Sequence, residues 1–403
     1  MVEHLVRDQE VTGSNPAFPT IYEKCLYIEF SYKINYNGFG GIMTQEMIIK
    51  IIGMIIVPFT FVVAIIPKIK KVALQINAVD VPRGGRHIHD KLTPKLGGLG
   101  IFLGFLLGYM IFGTHSATMN AVLIGSFIII LIGLIDDITE LTAFQQFIGQ
   151  LAAACVLVFY GNLVISELTA FGLKIEFGVL TPFISLFFIL GCINCINLID
   201  GLDGLSGGIS SIYFLTTGII AVIQQKSGLD FVIAFLMLGS TLGFLVYNFN
   251  PATIFAGDCG SNFMGFMISV IALLGFKNVT LTSLFIPLLI IAIPILDTLF
   301  AIIRRALKHE PLFKGDKFHI HHQLLKRNFS VKATVIIIYI IDALFALASI
   351  VYVLNDAKLG YFLYGILLVI VITFVVKTNI VFDQEQIKKK IKNRKIKRDS
   401  KKD

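Results

Sequence analysis

The strongest constraint on the fold of this chain is a series of eleven long apolar stretches that alternate with short polar segments. A helix needs about 20 mostly apolar residues to cross the core of a bilayer. Hydrophobic residues make up 56% of the sequence and charged residues only 15%, whereas a soluble domain carries about 25% charged residues. The sequence therefore predicts an all-α polytopic membrane protein and excludes a cytosolic enzyme, a disulfide-rich secreted scaffold and a disordered chain. The predicted spans are 48–66, 96–112, 119–135, 144–160, 182–198, 207–223, 231–247, 261–276, 281–302, 333–354 and 359–376.

The segment between the fourth and fifth spans has a different pattern. Residues 162–180 are less apolar and alternate polar and apolar side chains on both sides of Ala170-Phe171-Gly172. Such alternation around a short turn is typical of a β-hairpin. We therefore expect one short hairpin there, on the extracytoplasmic side.

Basic residues indicate the orientation of the spans. Seven Lys or Arg residues lie in the loop 67–95 and eight in the loop 303–332. With eleven spans, both loops and the basic C-terminal tail fall on one side, and cytoplasmic loops are the ones that carry an excess of Lys and Arg. The pattern predicts a multi-pass protein of the plasma membrane with an active-site cleft that opens to the cytoplasm.

The two ends of the chain differ from the predicted membrane domain, 43–376. Residues 1–42 show neither a signal peptide nor a transit peptide, and their opening resembles a translated RNA gene. We expect a non-native or disordered leader with Met43 as the start, and a genuine flexible extension is the alternative. The tail, 377–403, holds eleven Lys or Arg residues against four acidic ones, which accounts for most of the net charge of +8. It indicates a solvated segment near anionic lipid, with no nucleic-acid partner.

Acidic residues gather at the span ends that the charge pattern assigns to the cytoplasmic side. Charge inside a span costs roughly 2.5–3.5 kcal/mol per residue, so such residues are functional candidates. Asp136 and Asp137 end the third span, where two adjacent carboxylates favour a shared proton or cation. We interpret the pair as a base or metal site. An ordinary acidic helix end is the alternative, although the helix dipole disfavours it.

A second polar group leaves the fifth span with side chains that recur every three positions: Asn194, Asn197, Asp200 and Asp203. This spacing places them on one slowly spiralling helix face. Amides and carboxylates can pair with the donors and acceptors of a base, a ribose or a sugar, and the glycines between them allow close approach. The pattern predicts a ligand-binding surface. The simpler interpretation is a capped helix end followed by a turn.

A third group follows the seventh span, where Asn248 begins N-F-N-P-A and Gly257-Asp258 opens the eighth span. Backbone amides at a helix N-terminus can cradle an anion. A carboxylate inside a phosphate cradle implies a bridging cation, and oxygen ligands with phosphates favour Mg²⁺, with Mn²⁺ as the second choice. A simple N-terminal cap is the alternative role for Asp258.

Three of the eight histidines fall within four positions of the last large loop, as His319, His321 and His322. Alternating histidines on an extended segment face one side and could bind phosphate. A zinc site lacks the usual Cys/His spacing, and a solvated cluster is the third interpretation. Lys95, just before Gly97-Gly98, could also meet a phosphate, which is a weak signal when taken alone.

Three further features are not counted as site residues. Asp297, near the end of the ninth span, is explained equally well by a site or by a structural pair with the arginines that follow it. Cys192 and Cys195 are assigned to packing inside a span. Asp342 lies in the middle of a span and requires a polar partner that the sequence does not identify.

Taken in order, the motifs D-D, N-x-x-N-x-x-D-G-x-D-G-L, N-F-x-P-A-x-x-F-x-G-D-x-G-S, P-x-x-D-T and H-x-H-H resemble one family. They are similar to the polyprenyl-phosphate N-acetylhexosamine-1-phosphate transferases, and most of all to the bacterial undecaprenyl-phosphate N-acetylglucosamine-1-phosphate transferases that start teichoic acid or O-antigen synthesis. The resemblance extends from residue 48 to about residue 354. It implies eleven helices and a Mg²⁺-dependent transfer of a sugar 1-phosphate from a UDP-N-acetylhexosamine to undecaprenyl phosphate, with release of UMP.

Carried over by motif, the resemblance makes Asp136 and Asp137 the catalytic pair and Asp258 the magnesium ligand. The chain departs from the family pattern at Gln146, where the family usually has Lys, so one expected phosphate contact is lost. The first loop also has one extra residue before His89, and Leu92 stands where the family usually has Pro. The remaining matched positions are predicted to bind substrate: Asn194, Asn197, Asp200, Asp203 and Asn248 near the nucleotide, Lys95 at a phosphate, and His319, His321 and His322 at the diphosphate.

Two functions from other classes also fit the composition. An ion-coupled transporter would use intramembrane carboxylates and interrupted spans, although such proteins usually show matched repeats and midplane sites, and no repeat is evident here. A non-catalytic scaffold for a lipid carrier would need no metal. The choice of N-acetylhexosamine, the polyprenyl length, the downstream polymer and the formation of a homodimer all stay open.

Overall fold

The computed structural model describes residues 44–80, 92–170, 173–275, 292–308, 320–354 and 357–377. These residues are mostly helical, with four short strands, which confirms the predicted all-α polytopic membrane fold. The helices are α1 (Gln45–Gln75), α2 (Gly97–Phe112), α3 (Ala117–Thr139), α4 (Ala143–Cys155), α5 (Thr181–Ile199), α6 (Leu205–Ile223), α7 (Leu229–Asn248), α8 (Gly257–Gly275), α9 (Ala292–Lys308), α10 (Ile320–Lys326), α11 (Val331–Leu354) and α12 (Ala357–Lys377).

Eight helical segments in the described part of the chain are long and apolar enough to cross a membrane. They match eight of the predicted spans, with α4 continued by a π-helical turn at Val156–Tyr160 and α5 preceded by a 3-10 turn at Gly178–Leu180. Two more predicted spans appear as shorter apolar helices, at Gly97–Phe112 and Lys358–Thr373. The helix α1 is longer than its predicted span, because it continues to Gln75 as a basic extension.

Some predictions concern residues outside the described ranges. They include the leader 1–42, the first half of the ninth predicted span, His319 and all but the first residue of the basic tail. These predictions stand as they were made. The helix α9 covers only the last part of the ninth span and extends beyond it.

The strands form two antiparallel pairs. The pair β3 (Glu167–Ala170) and β4 (Leu173–Glu176) places Ala170 opposite Leu173, which confirms the predicted hairpin. The other pair, β1 (Val79–Asp80) and β2 (Thr93–Pro94), was not predicted, because two-residue strands leave no periodic pattern. It joins the end of α1 to the start of α2.

The helix α8 is the centre of the bundle. All its residues from Cys259 to Leu273 are buried, and it packs against α2, α3, α5, α6 and α7. Close approach depends on glycine: a Cβ at Gly98 of α2 would collide with the backbone of Gly260, and a Cβ at Gly133 of α3 would collide with the backbone of Cys259. These contacts bring the acidic end of α3 against the first turn of α8.

Candidate active site

The polar ends of six elements meet in one cleft of about 310 Å³ at one end of the bundle. The ends of α3, α5 and α7 and the starts of α2, α6 and α8 converge there, which follows from helices that run alternately up and down. Seven of the predicted site residues line the cleft. They are Lys95, Asp137, Asn197, Asp200, Asp203, Asn248 and Asp258.

Asp137 has a structural role as well as a place in the cleft. Its carboxylate oxygens accept hydrogen bonds from the backbone N–H groups of Asp258, at 2.9 Å, and Cys259, at 3.2 Å. These N–H groups belong to the first turn of α8, and N–H groups in the first turn of a helix have no hydrogen-bond partner within that helix. Two N–H groups of the anion cradle predicted at this helix start therefore bind a carboxylate of the protein.

Asp136 is held by a different set of donors. Its Oδ1 accepts from the backbone N–H of Leu141 at 2.6 Å, and its Oδ2 accepts from Nε2 of Gln146 at 2.7 Å. Thr142 and Gln145 form a capping box that starts α4, and this start brings Gln146 against Asp136. Gln146, which departs from the family pattern, therefore contacts Asp136, one of the two predicted catalytic residues, directly.

Asp258 connects the acidic pair to the fifth span. Its carboxyl group lies beside those of Asp136 and Asp137, and its Oδ1 accepts from Nδ2 of Asn197 at 2.5 Å. The same amide of Asn197 donates to the hydroxyl of Ser261 at 3.0 Å. Asn197 is therefore a direct neighbour of Asp258, and Ser261 joins the same group of contacts, although it was not among the predicted site residues.

The donor set suits a small divalent cation. Neighbouring carboxyl groups favour a shared proton or a cation, and Asp136 and Asp258 are neighbours of this kind. The described residues contain no group of three or more His, Cys, Asp or Glu side chains arranged to hold a metal by themselves. A cation bound by one or two carboxylates and completed by substrate phosphates is the arrangement that Mg²⁺ commonly adopts.

The turn between α5 and α6, residues 200–204, forms another wall of the cleft. Asp200 accepts from the hydroxyl of Ser206 at 2.5 Å. Burial raises the pKa of Asp200 to about 6, and the bond from Ser206 opposes that rise. Asp203, which is 1% exposed, accepts at Oδ2 from Nδ2 of Asn250 and from the backbone N–H of Ala252, both at 2.9 Å.

Asn248 joins this turn to the segment before α8. Its Oδ1 accepts from the backbone N–H of Gly204 at 3.0 Å, and its Nδ2 donates to the carbonyl of Ile254 at 2.9 Å. The amide therefore bridges two walls of the cleft, in addition to lining it.

Lys95 supplies a positive charge at the cleft. Its ammonium lies 3.6 Å from Oδ1 of Asp80 and attracts the carboxylate of Asp137. Backbone bonds fix its position, since its N–H donates to Ala78 at 3.0 Å and the carbonyl of Pro94 accepts from Phe255 at 2.8 Å. The unpredicted strand pair is what sets Lys95 beside the acidic residues.

Asn194 is the one member of the predicted polar stripe that does not line the cleft. It is exposed, and its Nδ2 donates to Oε1 of Gln150 and to the carbonyl of Leu190, both at 2.8 Å. The spiral of the stripe moves Asn194 one helical turn away from Asn197 and towards α4. Asn194 therefore lies outside the cleft, whereas Asn197, Asp200 and Asp203 line it.

Two of the predicted histidines lie at the rim of the cleft. His321 is 2% exposed. Its ring packs closely against Gly201, since a Cβ placed on this glycine would lie 3.0 Å from Nε2 of His321. The rings of His321 and His322 are 4.3 Å apart between centroids. The backbone N–H of Ile320 donates to Oδ1 of Asp297 at 2.9 Å, so Asp297 anchors the short histidine helix α10.

Asp342 is fully buried in α11, and neither carboxyl oxygen has a hydrogen-bond partner among the described residues. Nothing in the structure explains why this carboxyl group is buried.

The fold and the site define a polytopic membrane protein with a carboxylate-rich cleft at one end of its helix bundle. Residues 119–276 match the family model described as "Glycosyl transferase family 4". The chain is 39% identical over 332 residues to the "Probable undecaprenyl-phosphate N-acetylglucosaminyl 1-phosphate transferase" of Bacillus subtilis, covering 82% of this chain and 92% of that protein. The chain belongs to glycosyl transferase family 4.

Two more distant relatives carry similar names. The "Decaprenyl-phosphate N-acetylglucosaminephosphotransferase" of Mycobacterium tuberculosis is 30% identical over 76% of this chain and 82% of its own length. The "Undecaprenyl-phosphate alpha-N-acetylglucosaminyl 1-phosphate transferase" of Escherichia coli K12 is 28% identical over 69% of this chain and 77% of its own length.

Proposed function

We propose that the protein transfers N-acetylglucosamine 1-phosphate from UDP-N-acetylglucosamine to undecaprenyl phosphate, releases UMP, and so forms the first lipid-linked intermediate of a cell-wall polymer. One observation carries the proposal: Asp258 lies beside Asp136 and Asp137 and accepts a hydrogen bond from the amide of Asn197, at a cleft at one end of a membrane-spanning bundle. The names of the relatives support the same reaction.

The cleft is proposed to open to the cytoplasm, where nucleotide sugars are made. The end of α1 next to the cleft carries Lys68, Lys70 and Lys71, and Lys95 lines the cleft itself. Cytoplasmic ends of spans are the ones that carry such an excess of basic residues.

Mg²⁺ is the proposed cofactor, with Mn²⁺ as a substitute, and Asp258 would hold it together with Asp136. When bound, the ion would neutralise charge on the diphosphate of the nucleotide sugar. The contact between the two carboxyls supports this assignment, because a bridging cation would relieve their repulsion.

The protein's own residues would prepare and orient the substrates. Asp137 faces the cleft, and its carboxylate would take the proton of the lipid phosphate. A phosphate oxygen would then attack the β-phosphorus, and the bond from that phosphorus to the bridging oxygen would break, so that UMP leaves. Lys95, His321 and His322 would bind phosphate oxygens, while Asn197 and Asp200 would bind the nucleotide side.

The test uses purified protein in detergent with undecaprenyl phosphate, Mg²⁺ and a panel of UDP-sugars. We expect UMP release that requires both the lipid and UDP-N-acetylglucosamine, stops with a chelator and returns with Mg²⁺ or Mn²⁺. Release of UDP instead of UMP would contradict the proposed reaction. Uptake of substrate into vesicles without UMP release would favour a transporter.

Removing the amide that contacts Asp136 should slow the reaction. The variant Gln146→Leu leaves one carboxylate oxygen without its side-chain donor, and we expect the rate of UMP release to fall about tenfold. Gln146→Lys supplies a donor again, so its rate should stay within about threefold of the original. The control is Asn120→Leu, an exposed amide at the other end of α3. Equal rates for Gln146→Leu and this control would show that the contact has no role.

The hydroxyl of Ser206 should shift the pH dependence of nucleotide-sugar binding. Burial raises the pKa of Asp200 to about 6 and the hydroxyl lowers it, so Ser206→Ala should raise this pKa further. KM for the nucleotide sugar should then begin to rise at a higher pH as the solution is acidified. The control is Ser210→Ala, one turn along α6, where the hydroxyl has no hydrogen-bond partner among the described residues. Profiles that coincide for both variants would contradict the role of Asp200.

A further inference from the structure

One helical unit contacts both ends of the turn that carries Asp200 and Asp203. Residues 327–330 join the histidine helix α10 directly to α11. At the first end of the turn, His321 of α10 packs against Gly201. At the other end, the hydroxyl of Tyr339 of α11 donates a short hydrogen bond to the carbonyl of Gly204. The turn 200–204 is therefore held between two contacts from the same unit.

Gly204 is held on both of its backbone polar groups. Its N–H donates to Asn248 of α7, and its carbonyl accepts from Tyr339 of α11. Its φ of 79° lies in the left-handed region that favours glycine. A Cβ at Gly208, one turn further along α6, would overlap the tyrosine hydroxyl. The absence of a side chain there makes room for the contact.

The first turn of α11 contacts the same corner of the cleft a second time. The ammonium of Lys332 lies 5.9 Å from the ring centroid of Phe249, a distance at which a cation is attracted to an aromatic face. Phe249 follows Asn248, and its ring borders Gly204. Both contacts fasten α11 to the corner where α6 and α7 meet.

We infer that Tyr339 is a positioning residue for nucleotide-sugar binding. Its hydroxyl fixes the carbonyl of Gly204, and this contact holds the carboxylates of Asp200 and Asp203 in place. The inference rests on the proposed function. Tyr339 does not line the cleft, so its effect passes through the turn. Without the hydroxyl, the carbonyl of Gly204 keeps its bond from the backbone N–H of Gly208 within α6, but the turn loses its hydrogen bond to α11. The positions of its two carboxylates relative to Asn197 and Asp258 are then less tightly fixed.

The test compares two tyrosine variants that each remove one hydrogen-bonding hydroxyl from within the helix bundle. Tyr339→Phe breaks the bond to Gly204. Tyr364→Phe breaks the 2.9 Å bond to Ser349 between α12 and α11, away from the cleft. We expect Tyr339→Phe to raise KM for UDP-N-acetylglucosamine about tenfold, with kcat and KM for the lipid changed less than about twofold. Tyr364→Phe should leave all three values unchanged.

A third variant protects the test against misfolding. Lys332→Met removes the charge over Phe249 at an exposed position and should raise the same KM about threefold. The stabilisation of each variant by UDP-N-acetylglucosamine without lipid, read from its melting temperature, gives a second measure of binding.

The outcomes separate the two claims. Suppose that the original chain releases UMP and is stabilised by the nucleotide sugar. If Tyr339→Phe then keeps the original KM, or changes KM and kcat in the same way as Tyr364→Phe, the inference is overturned while the proposed function stands. If the original chain neither releases UMP nor is stabilised by the nucleotide sugar, the proposed function fails, and the inference fails with it.

Discussion

Asp258→Asn is expected to abolish UMP release while leaving the protein folded. Asparagine keeps an oxygen that can accept from Asn197, and it removes one charge from a group of three carboxylates, so the fold should not suffer. The lost negative charge is the one proposed to hold Mg²⁺. Loss of one group that stabilises developing charge typically costs about a hundredfold to a thousandfold in rate.

The measurement is the rate of UMP release at saturating substrates, with the melting temperature as a check on folding. The matched control is Asp230→Asn, an acidic residue in the first turn of α7 just as Asp258 is in the first turn of α8. Asp230 lies at the start of a span whose other end reaches the cleft. A folded Asp258→Asn protein with the original rate would remove Asp258 from the mechanism.

Gly257→Ala should lose both activity and stability. Gly257 has a φ of 72°, and a Cβ there would collide with the carbonyl oxygen of Lys95 and the carboxylate of Asp137. Relief of the collision must move β2 or the end of α3 away from α8. Since a misplacement of about 1 Å can cost a hundredfold in rate, we expect at least about that loss, together with a lower melting temperature.

The matched control is Gly275→Ala at the other end of α8. No described residue lies within 4 Å of a Cβ at Gly275, so this variant should keep both the activity and the melting temperature. If Gly257→Ala behaves like Gly275→Ala, the close approach of Lys95 and Asp137 to the start of α8 does not exist in the protein.

The membrane fold could be predicted from the sequence because its signal is strong and local. A span needs a long apolar run, and the hairpin 167–176 shows a clear alternation around its turn. The strand pair beside Lys95 was missed, since Val79–Asp80 and Thr93–Pro94 are too short to leave a pattern. Its position depends on backbone bonds to Phe255, which is distant in the sequence.

The sequence predicts which residues belong to the site better than it predicts what each of them contacts there. Motif spacing identified Asp137 and Asp258, but the capping of α8 by Asp137 depends on glycine contacts between helices that no local pattern reveals. A three-residue repeat grouped Asn194 with Asn197, although the helical rotation separates them. Tyr339 went unnoticed, because one tyrosine in an apolar helix looks the same whether it packs or positions a loop.

Asp297 shows how the structure resolves an undecided case. The sequence left it between a site residue and a structural partner of arginines. In the structure Asp297 is 2% exposed and accepts a hydrogen bond from the backbone N–H of Ile320. This bond fixes the first residue of the histidine helix α10. This bond joins residues 23 positions apart, a separation that motif analysis cannot bridge.

The central claim is that the β-phosphate of the nucleotide sugar moves to the lipid together with the sugar. The most direct test uses UDP-N-acetylglucosamine labelled with radioactive phosphorus at the β-position, with purified protein, undecaprenyl phosphate and Mg²⁺. The account predicts that the label enters the lipid fraction in equal amount to the UMP released, and that Asp258→Asn prevents both. Label that stays in the aqueous fraction as UDP, while the lipid gains only the sugar, would contradict the account.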